Sequence, residues 1–194
     1  MNRSLITKTA VSLLLVGGLA ACDGGGSGTA GTPIVPTLDG VAASGAPIPN
    51  GALTLTCGDG STKTTTTDAN GAYSLSLANC SAPYVVSVTG TVGDAEVTLV
   101  SVQPTAPTAE ATSLTVNVTS LTNAIAATLA SSGDSIDLVT SYATEKSALT
   151  AAAVKLIKDA LAASLADILT AAGLNASTFD IISSKFTADR TGEG

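Results

Sequence analysis

The side chains that could carry chemistry in this sequence are few, and histidine is not among them. The commonest general base and metal ligand is therefore missing. Two carboxylates, Asp94 and Glu96, stand at i and i+2 and would share one face of a strand that starts early, as a general acid and base require. Because nothing beside them in the sequence could raise one pKa, a solvated strand edge is the preferred interpretation.

A serine nucleophile and a calcium loop are the other chemistries to consider. Ser184 stands beside Lys185, but neighbouring side chains need not face the same way, and no S-x-x-K pattern occurs. Residues 68–71 have the sequence DANG, like the opening of a calcium loop, yet the further oxygen ligands and the distal acid are missing. The segment therefore predicts a hairpin turn with Gly71 at positive φ. We expect no catalytic residues, no metal site and no cofactor.

The N-terminus has the layout of a secretory signal. Arg3 and Lys8 precede an apolar or small stretch of about a dozen residues, shorter than the roughly 20 that span a bilayer. The end of this stretch resembles the lipobox of bacterial lipoproteins: Leu19, Ala20, Ala21 and Cys22. The resemblance implies that the signal peptide, residues 1–21, is removed and that Cys22 is acylated on its sulfur and its amine. An ordinary signal peptide with a chance cysteine is the alternative.

Acylation of Cys22 would attach the protein to a membrane through its lipid, and two or more acyl chains make such attachment stable. Asp23 retains some lipoproteins of enteric bacteria in the inner membrane, but the rule differs between lineages, so inner and outer membrane both stay open. The chain after residue 21 has six Lys or Arg against fifteen Asp or Glu, a formal charge of −9. With no basic cluster, nucleic acid is not an expected partner. We expect a location in the bacterial cell envelope, facing the periplasm or the cell surface.

A tether and a β-rich region follow the signal. Residues 22–37 are expected to form a flexible tether, because the run at 24–32 has no large apolar side chain to bury. Residues 38–118 contain short Val, Thr and Leu runs separated by turn residues, at the spacing of about 8 to 12 residues that indicates an all-β sandwich. Seven strands are predicted, at residues 40–43, 52–57, 62–67, 72–77, 84–89, 96–102 and 114–118.

Part of this β region resembles a known family. Residues 45–52 (GAPIPNGA) and 67–75 (TDANGAYSL) are similar to the entry segment and the hairpin of the carboxypeptidase regulatory-like domain. The resemblance covers about 50 residues, from 40 to 90, and implies a transthyretin-like sandwich. Because that domain is an accessory or structural module, the resemblance implies a fold and no reaction.

Two cysteines remain when Cys22 carries lipid. Cys57 and Cys80 would enter an oxidising compartment with the secreted chain, where a pair of cysteines is normally bridged, so a disulfide is predicted. A redox or metal pair is the alternative, but neither cysteine lies in a C-x-x-C motif. The bridge would add to a core that is poor in large side chains, since the chain has two Phe, three Tyr and no Trp.

Beyond residue 118 the apolar pattern changes from a period of two to spacings of three and four. Leu121, Ile125 and Leu129 predict a short helix that begins at Thr119 or Ser120 and ends by residue 133. Another short helix is expected around residues 136–142. A longer helix between residues 150 and 173 is predicted from an apolar stripe: Val154, Ile157, Leu161, Leu165 and Ile168. Core packing is the preferred interpretation of the stripe, and a partner-binding or membrane-lying face is the alternative.

The sequence thus predicts a cleaved or disordered N-terminus, a mainly β sandwich of about seven strands and a small α-helical region at residues 119–194. The order of β domain, VNVTSLTNAIA segment and alanine-rich helix is also similar to bacterial lipoproteins that continue into a further domain, so truncation of the helical region is one interpretation.

We predict a lipid-anchored envelope protein with a non-catalytic structural or adhesive module. The alternative is a ligand-binding accessory domain for an envelope glycan, protein or peptide, and an enzyme comes third. A peptide would bind along an open sheet edge, for which residues 62–67 are the candidate, although a plain solvated strand is the preferred interpretation of that run.

Overall fold

Residues 34–175 and 177–188 are described by a computed structural model of the chain. They lie in one compact unit, Pro33–Gly194. The segments predicted to be a signal peptide, a lipobox and most of a tether are outside the described residues, so the structure does not bear on those predictions.

Within the described residues, eight strands form two sheets of four. The strands are β1 (Thr37–Ala43), β2 (Ala52–Thr56), β3 (Thr62–Thr66), β4 (Ala72–Ser76), β5 (Tyr84–Val92), β6 (Ala95–Gln103), β7 (Ser113–Thr115) and β8 (Val118–Thr119). In the first sheet, β1 pairs antiparallel with β4 and parallel with β7 and β8. In the second sheet the order is β3-β2-β5-β6, with every pair antiparallel. The predicted mainly β architecture is confirmed, and the first six predicted strands are present with shifted ends.

The seventh predicted strand, at residues 114–118, is wrong in one respect, because the structure divides it into β7 and β8. Val116 still donates its N–H to the carbonyl of Asp39 (2.8 Å). At the next step the side-chain Oδ1 of Asn117, and not a backbone carbonyl, accepts a hydrogen bond from the N–H of Val41 (3.2 Å). A side chain therefore takes the place of the backbone in the parallel pairing with β1, and this exchange interrupts the strand.

One hydrophobic cluster joins the two sheets. Leu38 and Tyr73 enter it from the first sheet, and Leu53 and Val86 enter it from the second. Tyr73 is buried, and its hydroxyl donates a hydrogen bond to the carbonyl of Val116. Burial strongly raises the pKa of this phenol, so Tyr73 stays neutral and holds β4 against the segment after β7.

As far as the structure describes it, the helical region contains five helices and a 3₁₀ turn: α1 (Ser120–Leu129), α2 (Asp137–Thr140), α3 (Tyr142–Glu145), Lys146–Ala148 in the 3₁₀ turn, α4 (Ala151–Ser164) and α5 (Ala166–Ala171). Threonine side chains cap the first turns of α1 and α4. Thr119 and Thr122 exchange side-chain to backbone hydrogen bonds at the start of α1, which satisfies two orphan N–H groups. Thr150 accepts from the N–H of Ala153 at the start of α4 (3.2 Å). The short helix expected around residues 136–142 is divided into α2 and α3.

The long predicted helix is also divided, at Leu165 between α4 and α5. Leu165 has φ −100° and ψ 3°, outside helical geometry, so the residues after it present a different face. As a result Ile168 is 65% exposed, which corrects its placement in the core stripe, and Leu169 is buried instead. Val154 is buried as predicted, and Ile157 packs against the core.

The helices cover one side of the second sheet. α1 and α4 lie against β6, and α2 lies against β5. The side-chain Oδ1 of Asn123, on α1, accepts a hydrogen bond from the N–H of Val100 on β6 (2.9 Å). Ile125 and Leu138 join the same hydrophobic cluster as the sheets. The helical region is therefore packed into the core of the β part.

The predicted disulfide between Cys57 and Cys80 is present, with a Cα to Cα distance of 5.2 Å. It links the end of β2 to the loop before β5, over a sequence separation of 23 residues. Beside the disulfide, the N–H of Gly58 donates a hydrogen bond to the carbonyl of Ser81 (2.7 Å), which joins the same two segments.

Replacing both cysteines, as Cys57→Ala with Cys80→Ala, should lower the free energy of unfolding by about 3 kcal/mol, because the unfolded chain regains the entropy of the open loop. Urea unfolding followed by circular dichroism measures the loss. The unsubstituted chain unfolded in reductant is the matched control and should lose a similar amount. An unchanged midpoint in both would show that the bridge does not constrain the unfolded chain.

Candidate functional site

A groove opens between the end of β1, the start of α1 and the chain at residues 179–188. Its volume is about 220 Å³. Its apolar lining comes from all three elements: Ala43, Ala46, Leu121, Phe179, Ile181 and Phe186. Sequence reasoning missed this groove, although the only two phenylalanines of the chain, close together in sequence, were the available signal.

Asn117 forms the floor of the groove and holds its two sides together. Its N–H donates to the carbonyl of Ile182 (2.7 Å), and its Nδ2 donates to the carbonyl of Ser184 (2.6 Å). With the bond from Val41 to Oδ1, one residue that is only 2% exposed links β1, β8 and the last described segment. The groove therefore depends on one buried amide.

Asp180 folds the segment that closes the groove. Its Oδ1 accepts from the N–H groups of Ile182 (2.9 Å) and Ser183 (3.1 Å), and its Oδ2 accepts from Lys158 on α4. Burial on its own raises the pKa of this carboxyl. The Lys158 ammonium and the two backbone N–H groups outweigh burial and hold the pKa below its ordinary value. Asp180 is thus an ionised anchor between the segment and α4.

The nucleophile considered at Ser184 has a structural role. Its hydroxyl accepts a hydrogen bond from the N–H of Asp180 (2.9 Å), and its own N–H donates to the carbonyl of Asp180 (2.8 Å). Lys185 beside it is exposed. The structure brings Ser184 to the groove but binds its hydroxyl into the turn that Asp180 forms.

The two carboxylates that could have formed an acid and base pair are exposed. Asp94 lies in the turn between β5 and β6, and Glu96 lies on β6. Because Asp94 is not on the strand, the condition for a shared strand face is not met. The preferred interpretation, a solvated strand edge, agrees with these positions.

Asp68 stabilises the turn at residues 68–71 by accepting backbone hydrogen bonds. Asp68 Oδ1 accepts from the N–H groups of Asn70 and Ala72, both at 2.8 Å. Gly71 has the predicted positive φ, +75°, and a Cβ at this position would lie 2.3 Å from the carbonyl oxygen of Ala42. The predicted turn is present, but the prediction of a hairpin is wrong, because β3 pairs with β2 in the second sheet and β4 pairs with β1 in the first, so the turn connects the two sheets. Within residues 34–175 and 177–188, no three acidic, cysteine or histidine side chains are grouped so that they could hold a metal ion.

A buried acid that sequence reasoning missed is Glu145, which is 8% exposed. Its two carboxylate oxygens accept from the hydroxyl (2.5 Å) and the N–H (3.0 Å) of Ser131. The carboxylate therefore caps the chain just after α1. No local sequence signal indicates this bond, because its partners are separated by 14 residues and lie in different elements.

The aromatic rings divide into buried and groove-lining sets. Tyr73, Tyr84 and Tyr142 are each at most 6% exposed, so they offer no ring face for stacking against a sugar. Phe179 and Phe186 are half-buried at the groove. The groove thus holds the aromatic surface that a ligand could reach.

Comparison with known proteins finds no matching family model, no similar curated protein and no similar solved structure. Among the described residues, no helix has both the length and the apolar character that crossing a bilayer requires. The groove and the sheet edges therefore have to be judged from their own geometry.

Substituting Asn117→Ala should lower the free energy of unfolding by about 2 kcal/mol, because it leaves the partly buried N–H of Val41 and carbonyl of Ser184 without these partners. Asn175→Ala is the matched control, since that amide caps an exposed turn, and should cost less than about 1 kcal/mol. Chemical unfolding of both variants gives the comparison. Equal losses in the free energy of unfolding would show that the hydrogen bonds of Asn117 contribute no more to stability than those of an exposed turn.

The ion pair of Asp180 with Lys158 predicts a pH dependence of stability. Because the folded-state pKa of Asp180 lies below its unfolded value of about 3.9, its contribution is present above that pH and is lost as the pH falls through the folded pKa. The stability difference between the unsubstituted chain and Asp180→Asn should therefore shrink in acid.

Urea unfolding of both chains between pH 7 and pH 3 measures the difference. Asp159→Asn is the control, because its pair with Lys155 is exposed and such pairs contribute little. A difference for Asp180→Asn that is constant with pH would contradict the assignment.

Proposed function

We propose that this chain is a lipid-anchored protein of the bacterial cell envelope whose β part is a non-catalytic structural or adhesive module. The observation that carries the proposal is the N-terminal signal that ends in Leu19, Ala20, Ala21 and Cys22. A tether after Cys22 leads to β1, which begins at Thr37. The proposed partner of the N-terminus is the membrane, reached through lipid on Cys22, in either the inner or the outer membrane.

The disulfide supports a location outside the cytoplasm. A bond between Cys57 and Cys80 persists in an oxidising compartment and is rare in the cytosol. The disulfide also stabilises a secreted module, since it reduces the number of conformations open to the unfolded chain.

The β part is proposed to be a transthyretin-like sandwich of the carboxypeptidase regulatory-like kind. The two segments that carry the resemblance, residues 45–52 and 67–75, contact each other. Thr67 donates its hydroxyl hydrogen to the carbonyl of Ile48 (2.5 Å) and accepts from the N–H of Gly51 (2.7 Å), and it is 2% exposed. A buried threonine that bonds both segments explains why the two motifs would occur together.

A non-catalytic role is supported by what the polar side chains do. Asp68, Asp180, Glu145 and Ser184 accept hydrogen bonds from backbone N–H groups of their own chain. Groups that are used in this way position the backbone, whereas a general acid or base has to face a substrate.

The second candidate is a ligand-binding accessory module at the envelope, for a peptide or a glycan. The apolar groove at Phe179 and Phe186 favours this candidate. Its volume and lining suit an apolar side chain of a peptide better than a sugar, because glycan sites need flat, accessible rings and the three tyrosines are buried.

The lipid anchor is tested by the intact mass of the full chain, expressed in a bacterial host and extracted in detergent. The expected mass is that of residues 22–194 plus acyl chains, and it should rise by about two daltons on reduction as the disulfide opens. Cys22→Ser should give no acylated species and should lose membrane retention. Cys80→Ser, which leaves the lipobox intact, is the control and should stay acylated. A cleaved chain without lipid would overturn the anchor and favour an ordinary signal peptide.

A further inference from the structure

The sequence Asn-Gly-Ala occurs twice in the chain, at residues 50–52 and at residues 70–72. Asparagine is one of the thermally labile residues of proteins, because its side-chain amide can be attacked by the backbone nitrogen of the next residue. A glycine in that next position hinders the attack least, since it has no Cβ. The two segments therefore share the same intrinsic chemistry, and any difference in reactivity between Asn50 and Asn70 has to come from the fold.

Both asparagines are exposed, so water reaches both side-chain amides. The attack also requires that the nitrogen of the following glycine leaves its own hydrogen bond, loses its proton and turns toward the side-chain carbon Cγ of the asparagine. The hydrogen bonds of Gly51 and Gly71 therefore decide which of the two sites can react.

The backbone of Gly51 is fixed in the interior. Its N–H donates to the hydroxyl of Thr67 (2.7 Å), which is 2% exposed and donates in turn to the carbonyl of Ile48 (2.5 Å). Its carbonyl accepts from the N–H of Thr67 (3.0 Å). Moving the nitrogen of Gly51 would take a buried hydroxyl away from its donor, which is costly because water does not replace the lost bond.

The N–H of Gly71 is held by an exposed residue instead. It donates to the carbonyl of Asp68 (3.1 Å), and the N–H of Asn70 donates to Asp68 Oδ1 (2.8 Å). Asp68, Ala69 and Asn70 are all exposed. When this turn opens, water can replace both bonds, so the opening costs less free energy than the release of Gly51.

We propose that Asn70 is a deamidation site of this protein and that the fold protects Asn50 from the same reaction. The nitrogen of Gly71 loses its proton to a base in the solvent and forms a bond to Cγ of Asn70. The bond from Cγ to Nδ2 breaks, and Nδ2 takes a proton from water and leaves as ammonia. A water molecule then opens the resulting succinimide ring at one of its two carbonyl carbons, which gives aspartate or isoaspartate. Water is the co-reactant, and the proposal does not rest on the lipid anchor.

The reaction would change the connection between the two sheets, because the turn joins β3 of the second sheet to β4 of the first. Both products add a negative charge beside Asp68. Isoaspartate also lengthens the main chain by one carbon atom before Gly71, whose carbonyl accepts from the N–H of Ala42 (2.8 Å). A Cβ on Gly71 would lie 2.3 Å from the carbonyl oxygen of Ala42, so the longer chain lacks room there. We expect isoaspartate to loosen β4 from β1.

The test is mass spectrometry of the purified full chain after incubation at mildly alkaline pH in water labelled with heavy oxygen. Ring opening takes one oxygen from the solvent, so the label marks sites that react during the incubation. After reduction of the disulfide, trypsin cleaves at Lys63 and places Asn50 and Asn70 in different peptides. Asn70 should react at least about tenfold faster than Asn50, a factor that corresponds to one net hydrogen bond.

Two controls separate the fold from the chemistry. In concentrated urea the two sites should react at similar rates, because the same tripeptide then has similar surroundings. Thr67→Val removes the hydroxyl that holds Gly51 and should raise the rate at Asn50 about tenfold in the folded chain. Thr64→Val, at an exposed position of β3, is the matched control and should change neither rate.

Equal rates at the two sites in the folded chain, or a faster reaction at Asn50, would overturn the proposal. An unlabelled Asn70 after a time in which the urea-unfolded chain reacts completely would overturn it as well. Because these comparisons use the unsubstituted chain, they hold even where Thr67→Val fails to fold.

The effect on the sheets is measured on the aged chain. Asn70→Asp supplies the added charge without the extra main-chain atom and is the matched control. Urea unfolding should show a lower midpoint for chains enriched in isoaspartate than for Asn70→Asp. Equal midpoints would contradict the expected loosening of β4.

Discussion

The buried amide of Asn117 is the interaction on which the rest of the structure depends. It takes the place of a backbone group between β7 and β8, and it fixes the segment around Ile182 and Ser184. A buried amide without partners is costly, so the fold has to supply hydrogen-bond partners for both the oxygen and the nitrogen of this side chain. Asn117 therefore connects the first sheet, the chain that leads into α1 and the wall of the groove.

The helical region and the sheets are mutually dependent. β5 and β6 present buried valines toward the helices as well as toward the first sheet, among them Val85, Val100 and Val102, which are at most 1% exposed. Without α1, α2 and α4 these side chains would face water, at a cost of about 25 cal/mol per Å² of apolar surface. The same helices close the edge of β6, and the opposite edge at β3 lacks such a cover. The asymmetry of the second sheet is therefore a consequence of where the helices pack.

Local patterns in the sequence predicted most elements. The short runs between turn residues, the turn at Gly71 and the start of α1 involve residues close in sequence, and the disulfide needed only two cysteines and an oxidising compartment. The division at Asn117, the bond from Asn123 to β6 and the cap by Glu145 could not be predicted, because each joins a side chain to a distant backbone group. The groove was missed for the same reason, since its walls are more than 50 residues apart in sequence. The break at Leu165 has no proline or glycine to signal it.

The hydrogen bond from the N–H of Asn117 to the carbonyl of Ile182 also restricts the order in which parts of the fold can form. A polypeptide emerges from the ribosome N-terminus first, and β1 meets β4 early in that process, whereas its parallel partners follow more than 70 residues after it. The junction at Asn117 cannot close until Ile182 has also emerged. Contacts over such separations slow folding. The part of the chain from β1 to Ile182 therefore stays incompletely folded until Ile182 has emerged from the ribosome.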